Sequence, residues 1–365
     1  IYFRLKGEQA ETETGFWGDA LPWKTDDLLM VWRSWRAGNV NLDTVAALNF
    51  FTIGLLEDKQ IEVSDIRIRK NPATDPTWLV NIVDKYGQNA KINTPLYFNK
   101  TAPLLIPEIF APGKISLADR GEFALVISAD GTEIIFGIGN GKKTDILSVK
   151  LIGNTWSEPK TIIAHERYSY MDAFLSPDET QLYYISNQPL NGQGEPKDPD
   201  LWYSNRTENG WGPPQNAGAV INSKKGEYYV SFTTKGTLYF TSNRSAAPDQ
   251  EINFDIHAST NINGKFQKPF RLGKSVNSSG YDGDVFIAPD ESYLIFSSAR
   301  PYGHGSSDLY ISFRTLDGEW TQAKNMGPNI NTDSQDYCPF VTRDGRYLFF
   351  STKRDIYWVD AWHRS

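Results

Sequence analysis

The sequence predicts an all-β protein: a five-bladed β-propeller with strand closure from the N-terminal side, preceded by a small β-sandwich. Three observations predict it. The first is a pattern that recurs five times after residue 120. Each copy has an apolar strand, a tight turn, a second apolar strand, and an Asp followed by two apolar residues. The turns are Ser128-Ala129-Asp130-Gly131, Ser176-Pro177-Asp178-Glu179, Thr234-Lys235-Gly236, Ala288-Pro289-Asp290-Glu291 and Thr342-Arg343-Asp344-Gly345. The later Asp recurs at Asp145, Asp200, Asp255, Asp308 and Asp355, in steps of 55, 55, 53 and 47 residues. Four short strands in a period of roughly 50 residues make a propeller blade. The second observation is the element that ends four copies, an aromatic with a Pro three residues later: Trp156…Pro159, Trp211…Pro214 and Phe266…Pro269, with Trp320…Ala323 as the variant. The fifth copy stops after Asp355-Ile356-Tyr357, before its outer strand. The third is a matching segment ahead of the first copy. Leu104…Pro107 followed by Ile115-Ser116 aligns with Trp211…Pro214 followed by Ile221-Asn222-Ser223, and with Phe266…Pro269 followed by Val276-Asn277-Ser278. Residues near 103–117 should therefore pair with 355–360 and remove two open sheet edges.

The composition agrees. Aromatics make up 13% of the chain, with 29 Gly and 20 Pro, as suits many short strands and turns. A net charge of −7 argues against nucleic acid or an anionic membrane as partner. Cys338 is the single cysteine, which excludes an intrachain disulfide and thiolate metal clusters. The histidines at 165, 257, 304 and 363 lack ligand spacing. Thr44 to Leu56, the longest apolar stretch, is too short to span a bilayer, so membrane insertion is not expected. The chain opens Ile1-Tyr2-Phe3-Arg4 with no initiator Met, which reads as a trimmed or mature chain.

Residues 1–88 form the expected sandwich module, 89–102 a linker, and 103–365 the propeller. Leu28 to Trp35, Thr44 to Leu56 and Ile61 to Lys70 read as strands. In the last, apolar Ile61, Val63, Ile66 and Ile68 alternate with polar residues, and the slip at Asp65 predicts a bulge.

Candidate site residues follow from the propeller. The first strand of each blade lines the axis. Eight residues before each turn Asp stand Glu122, Tyr170, Glu227, Asp282 and Asp336; two residues further on stand Ala124, Asp172, Tyr229, Asp284 and Cys338. A side-chain period of two puts both sets on one face. One mouth of the channel should then carry six carboxylates, with Tyr170, Tyr228, Tyr229, Tyr281 and Tyr337 nearby.

Three uses of these residues remain open. They can be structural, each acid accepting hydrogen bonds from the next blade's backbone once per repeat. They can bind: Glu122, Tyr170, Tyr229, Tyr281, Asp284, Asp336 and Tyr337 suit sugar hydroxyls and C–H faces, or a hard cation such as Ca²⁺. They can cleave a glycan, with Asp172, Glu227 and Asp282 supplying the acid and base that glycosidases need. Asp172 breaks the repeat, which favours it as a functional residue. No other cofactor or metal site is expected.

The Asp of each later triplet reads as structural, capping a turn or pairing with the Arg that ends the second strand: Arg244, Arg300 or Arg354. Trp156, Trp211 and Trp320 read as blade-edge packing. Asn187 to Pro199, Ser245 to Asn253 and Pro301 to Ser307 lengthen loops, and loops on a rigid scaffold commonly carry function. His304, beside Tyr302 in a Gly-rich loop, is the His to watch. No phosphate loop, dinucleotide fingerprint, zinc motif or Gly-x-Ser-x-Gly elbow occurs.

The Ser176-Pro177-Asp178 and Ala288-Pro289-Asp290 turns resemble the PD40 (WD40-like, TolB-type) repeat over about residues 103–365. That resemblance implies a propeller, often periplasmic or secreted, whose members bind proteins or glycans. Leu42 to Lys70, with Asp84-Lys85-Tyr86-Gly87-Gln88, resembles galactose-binding-like jelly-roll modules of agarase-type glycoside hydrolases, which implies a polysaccharide setting. Together they lead us to expect an exported carbohydrate-recognition protein of a polysaccharide-utilisation system. A glycan-cleaving enzyme, either hydrolase or lyase, and a protein-interaction scaffold are the alternatives.

Overall fold

The structure is a computed structural model that describes residues 2–6, 62–67, 96–100, 103, 106–139, 141, 143–246, 253–315 and 317–361. The chain divides into two units, Ile1–Val80 and Asn81–Ser365. In the first, Tyr2–Lys6 and Glu62–Arg67 pair antiparallel. Tyr2 faces Arg67 and Arg4 faces Ser64, so Asp65 and Ile66 together oppose Phe3, a bulge where the alternation slips. The expected strands at Leu28–Trp35 and Thr44–Leu56, and the sandwich they would complete, lie outside the described residues.

The second unit is a five-bladed propeller. Its innermost strands are Gly121–Ile127, Tyr170–Leu175, Glu227–Phe232, Asp282–Ile287 and Tyr337–Val341. Each pairs antiparallel with a second strand: Glu133–Gly139, Gln181–Ser186, Leu238–Ser242, Tyr293–Ser298 and Tyr347–Thr352. Third strands begin at the repeated Asp, or in blade 1 one residue before it: Thr144–Ile152, Asp200–Thr207, Asp255–Ser259, Asp308–Phe313 and Asp355–Asp360. Second strands are sandwiched between blades, which is why they read as unbroken apolar runs such as Ile134-Ile135-Phe136 and Leu238-Tyr239-Phe240, all at 0–1% exposure.

The ring closes as the sequence requires. Glu108–Ile109 supplies the outer strand of blade 5, Ile109 opposite Tyr357 and Glu108 opposite Trp358. Phe110 N–H extends the ladder to Ile356 O at 2.8 Å. The stretch expected as a linker also contributes to this seam. Tyr97 packs edge-on against Tyr347 at 5.0 Å, and Phe98 stacks on Trp156 at 4.9 Å, because the junction of blades 1 and 5 leaves aromatic surface to cover.

Side-chain bonds hold the turns. In blade 2, Ser176 Oγ donates to Asp178 Oδ1 at 2.7 Å, and Asp178 accepts Thr180 N–H at 3.1 Å. These bonds hold the Asp178 carboxyl below its usual range, the Ser176 bond most. The next position is left-handed in every blade, filled by Gly131, Glu179, Gly236, Glu291 and Gly345. The two glutamates accept that strain while bonding the preceding blade: Glu179 takes Ala129 N–H at 2.5 Å, and Glu291 takes the Tyr239 hydroxyl. Among the described residues no helix is long and apolar enough to cross a membrane.

Phe110 is fully buried, edge-on to Phe349 at 5.0 Å and Trp358 at 5.1 Å. Phe110→Ala should cost about 3–5 kcal/mol in urea unfolding. The half-exposed neighbour change Ile109→Ala should stay within about 1 kcal/mol.

Candidate functional site

Every innermost strand carries one β-bulge, and a non-glycine residue there takes left-handed backbone. These residues are Ala124 (φ 51°), Asp172 (54°), Tyr229 (33°), Asp284 (50°) and Cys338 (51°). The register slips at the same place in each blade, for example between Phe123 and Val126 and between Tyr337 and Phe340. Such backbone is strained for residues with a Cβ, so its fivefold repetition marks a built feature of the axis. The bulge also breaks the period of two. The two residue sets expected on one face are thereby separated.

The first set lies in inter-blade knots. Glu227 is fully buried; it accepts Ser223 N–H at 3.0 Å, Ser223 Oγ–H at 2.7 Å, Ser242 Oγ–H at 2.9 Å and Arg244 Nη2–H at 3.0 Å. Asp282, also at 0% exposure, repeats this with Ser278, Ser298 and Arg300. Asp336 accepts Thr332 N–H at 2.7 Å, and Glu122 accepts Arg120 Nε–H at 2.5 Å. The guanidiniums of Arg120, Arg244 and Arg300 also bond the carbonyls of Ile115, Ile221 and Val276, the equivalent apolar residue of each linker. In blade 2 Tyr170 stands in for the acid, and its hydroxyl bonds Gln188 at 2.5 Å in place of the arginine. Burial raises the carboxyls of Glu122, Glu227 and Asp336, against the pull of their donors.

These contacts correct two expectations. Arg244 and Arg300 pair with the inner-strand acids and not with the triplet Asp; among the triplet acids, Asp255 pairs with Arg271 of the outer strand at 2.6 Å and Asp308 accepts loop N–H groups of His304 and Gly305. Glu227 and Asp282 are sealed and saturated, so neither offers a free carboxyl to a glycosidic oxygen.

The second set meets at the axis. A bulge frees backbone N–H groups that must find acceptors. Ala124 N–H donates to Ser351 Oγ at 3.1 Å and Asp284 N–H to Thr241 Oγ1 at 2.9 Å, each from the preceding blade. The Asp172 carboxyl accepts the bulge N–H of Tyr229, and Asp284 that of Cys338. Cys338 Sγ lies 3.9 Å from Asp172 Oδ1, and Tyr281 OH bonds Asp284. Burial, then the charge of Asp284, pushes the Asp172 carboxyl up to about 8. Burial raises Asp284 to about 6, against the Tyr281 and Cys338 bonds. Desolvation likewise lifts the Cys338 thiol, leaving it protonated and unreactive.

Above this pair lies a rim of five aromatics and a methionine, half-buried Phe123, Met171, Tyr228, Phe254, Tyr281 and Tyr337. Phe254 packs edge-on to Tyr228 at 5.4 Å and to Tyr281 at 6.0 Å. Gly283 makes the geometry feasible: a Cβ there would meet Tyr281 Oη at 2.6 Å. Gly137 does the same for the Phe123 ring. Below the pair, Phe174 and Phe286 both pack edge-on to Phe340, at 6.1 and 5.8 Å, and close the axis. An apolar cavity between the turns, rimmed by Pro177, Pro289 and Arg343, lies beyond them.

Second strands end level with the knots, Ser186 opposite Tyr170 and Ser298 opposite Asp282, so the long loops rise at the rim end. His304 is exposed there; its backbone N–H binds Asp308 at 2.8 Å. Trp156 and Trp211 pack on the core edge. Among the described residues no group of three or more His, Cys, Asp or Glu is placed to hold a metal ion. Phe123, Met171 and Phe254 were not legible as rim residues in the sequence, because alternation puts them off the axis and only the bulge brings the first two in.

Arg300→Ala should cost about 3–5 kcal/mol in denaturant unfolding, since it strands the buried Asp282 charge. The folded chain holds a proton on Asp172 that the unfolded chain releases near 3.8. Stability from this group is therefore full below that pH and falls as pH rises toward about 8. The urea midpoint should drop from pH 5 to pH 8 more steeply in the wild type than in Asp172→Asn.

Residues 1–79 match the family model described as Agarase CBM like domain. No curated protein matches the chain. Among solved structures it is similar to TolB from Acinetobacter baumannii, at 12% identity and a TM-score of 0.43 over 66% of this chain. It spans 54% of that TolB chain. It is also similar to an α-L-arabinofuranosidase from Podospora anserina solved with cellotriose, at 10% identity and a TM-score of 0.46 over 71% of this chain and 96% of that one. An oligogalacturonate lyase from Vibrio parahaemolyticus is similar at 12% identity and a TM-score of 0.40, over 73% and 84% of the two chains.

Proposed function

We propose that this chain is an exported carbohydrate-recognition protein serving a polysaccharide-utilisation system, and that it binds glycan at the axial rim. The observation that carries this reading is the rim of six half-buried apolar side chains over a carboxyl pair. Aromatic faces suit the C–H surface of a pyranose, and phenol hydroxyls suit its O–H groups. The match of residues 1–79 to an agarase CBM-like model supports a saccharide ligand.

Recognition is favoured over cleavage for a physical reason. Asp172 and Asp284 are 7% and 8% exposed, behind the phenols, and each is committed to a neighbouring bulge N–H. Glu227 and Asp282 are tied in the knots. A glycosidase needs two carboxyls that reach the scissile bond.

A glycan panel read for both binding and new reducing ends or unsaturated products tests this. Binding without product is expected, weakened about tenfold by Tyr337→Ala in protein that still unfolds cooperatively. Product release would replace recognition with catalysis. Silence across the panel would favour a protein partner.

A further inference from the structure

We propose that the blade-4 loop, Pro301 to Ser307, is a second sugar subsite in which Tyr302 is the stacking platform for a pyranose further along the chain held at the rim. The inference rests on the reading just given and extends it from a single mouth to an extended glycan.

Tyr302 is fully exposed and sits in left-handed backbone at φ 68°. A ring left in water forgoes about 1.5–3 kcal/mol of burial, and positive φ adds strain for a bulky residue. Single exposed aromatics are common on proteins, and what sets this one apart is how firmly its loop is held. The Asp308 carboxylate accepts His304 N–H at 2.8 Å, Gly305 N–H at 2.9 Å and Asn325 Nδ2–H at 2.6 Å. Ser306 N–H donates to Ser334 O at 2.9 Å. Gly305 lies so close to the segment leading into the last inner strand that a Cβ would meet Ser334 O at 1.8 Å. The backbone of the segment is thus held in place while it presents an aromatic side chain to solvent, a preorganised arrangement that recognition surfaces use.

Its position joins it to the rim. The loop rises from Ser298, opposite Asp282 at the rim end of the blade. It returns through Ser307, whose carbonyl accepts Asp336 N–H at 2.9 Å, and the next residue is rim Tyr337. A glycan resting on Tyr337 and running outward over blade 4 passes this loop.

The test is titration of wild type, Tyr302→Ala and Tyr302→Phe with agarose- and cellulose-derived disaccharides and hexasaccharides. In Tyr302→Ala we expect hexasaccharide affinity to fall about tenfold and disaccharide affinity to hold within about twofold. Tyr302→Phe, which keeps the ring, should retain hexasaccharide affinity. Equal affinities for wild type and Tyr302→Ala at both lengths would overturn the subsite and leave the rim reading standing. A loss in Tyr302→Phe as large as in Tyr302→Ala would overturn stacking. Wild-type protein that binds neither length would overturn the rim reading and the subsite together.

Discussion

In four of the five blades a buried carboxylate at the start of the inner strand ties down the linker that leads into it, and the ring depends on that knot. The acid draws in the linker's Ser or Thr through N–H and hydroxyl, as Asp282 does with Ser278. A guanidinium clamps the same acid to a linker carbonyl in blades 1, 3 and 4. Beside it, the linker Asn binds the third strand like a fragment of sheet: Asn277 accepts Ile256 N–H at 2.8 Å and donates to Ile256 O at 3.0 Å. A buried charge with several strong donors is stable where an unpaired one is not. The knots thereby fix both the angle between blades and the height at which each inner strand enters.

From that entry height the axis follows. Each inner strand leaves its knot and bulges at the same point, turning one side chain toward the centre. Backbone geometry there is common to all blades while the side chains differ: Ala124, Asp172, Tyr229, Asp284 and Cys338. Variation is concentrated where the scaffold is most uniform, which is the usual division between frame and site. Asp172 and Asp284 serve both, accepting a neighbour's N–H while giving the floor of the rim its polar character.

Much of the frame was legible in the sequence because it repeats. Asp130, Asp178 and Asp344 announce turns whose hydrogen bonds are local. The missing outer strand after Tyr357 and the surplus segment around Glu108 imply one another. The site was legible only in part. Asp172 stood out because it breaks the repeat, Asp284 because it stands two residues beyond an aligned acid, and Tyr228, Tyr281 and Tyr337 because they stand near the aligned positions. Stepping by two could not anticipate a bulge, so Glu227 and Asp282 were grouped with the axis although they belong to the knots. It could not supply Phe254 either, which reaches the rim from outside the inner strands. The partner of Arg300 was mistaken for a similar reason. Two acids, Asp282 and Asp308, lie within a short reach in sequence, and only the fold selects between them.

The phenylalanine closure of the axis bears on how a polymer can meet this protein. With Phe174, Phe286 and Phe340 meeting across the centre, the ring has a blind mouth and not a bore. A polysaccharide cannot be threaded through it, and sliding along a captured strand with the strand inside the ring is ruled out. On the proposed reading, a glycan is captured from one side, at a chain end or along an exposed length, and leaves by the same route. The far opening is a second compartment, floored by the other side of the same three phenylalanines.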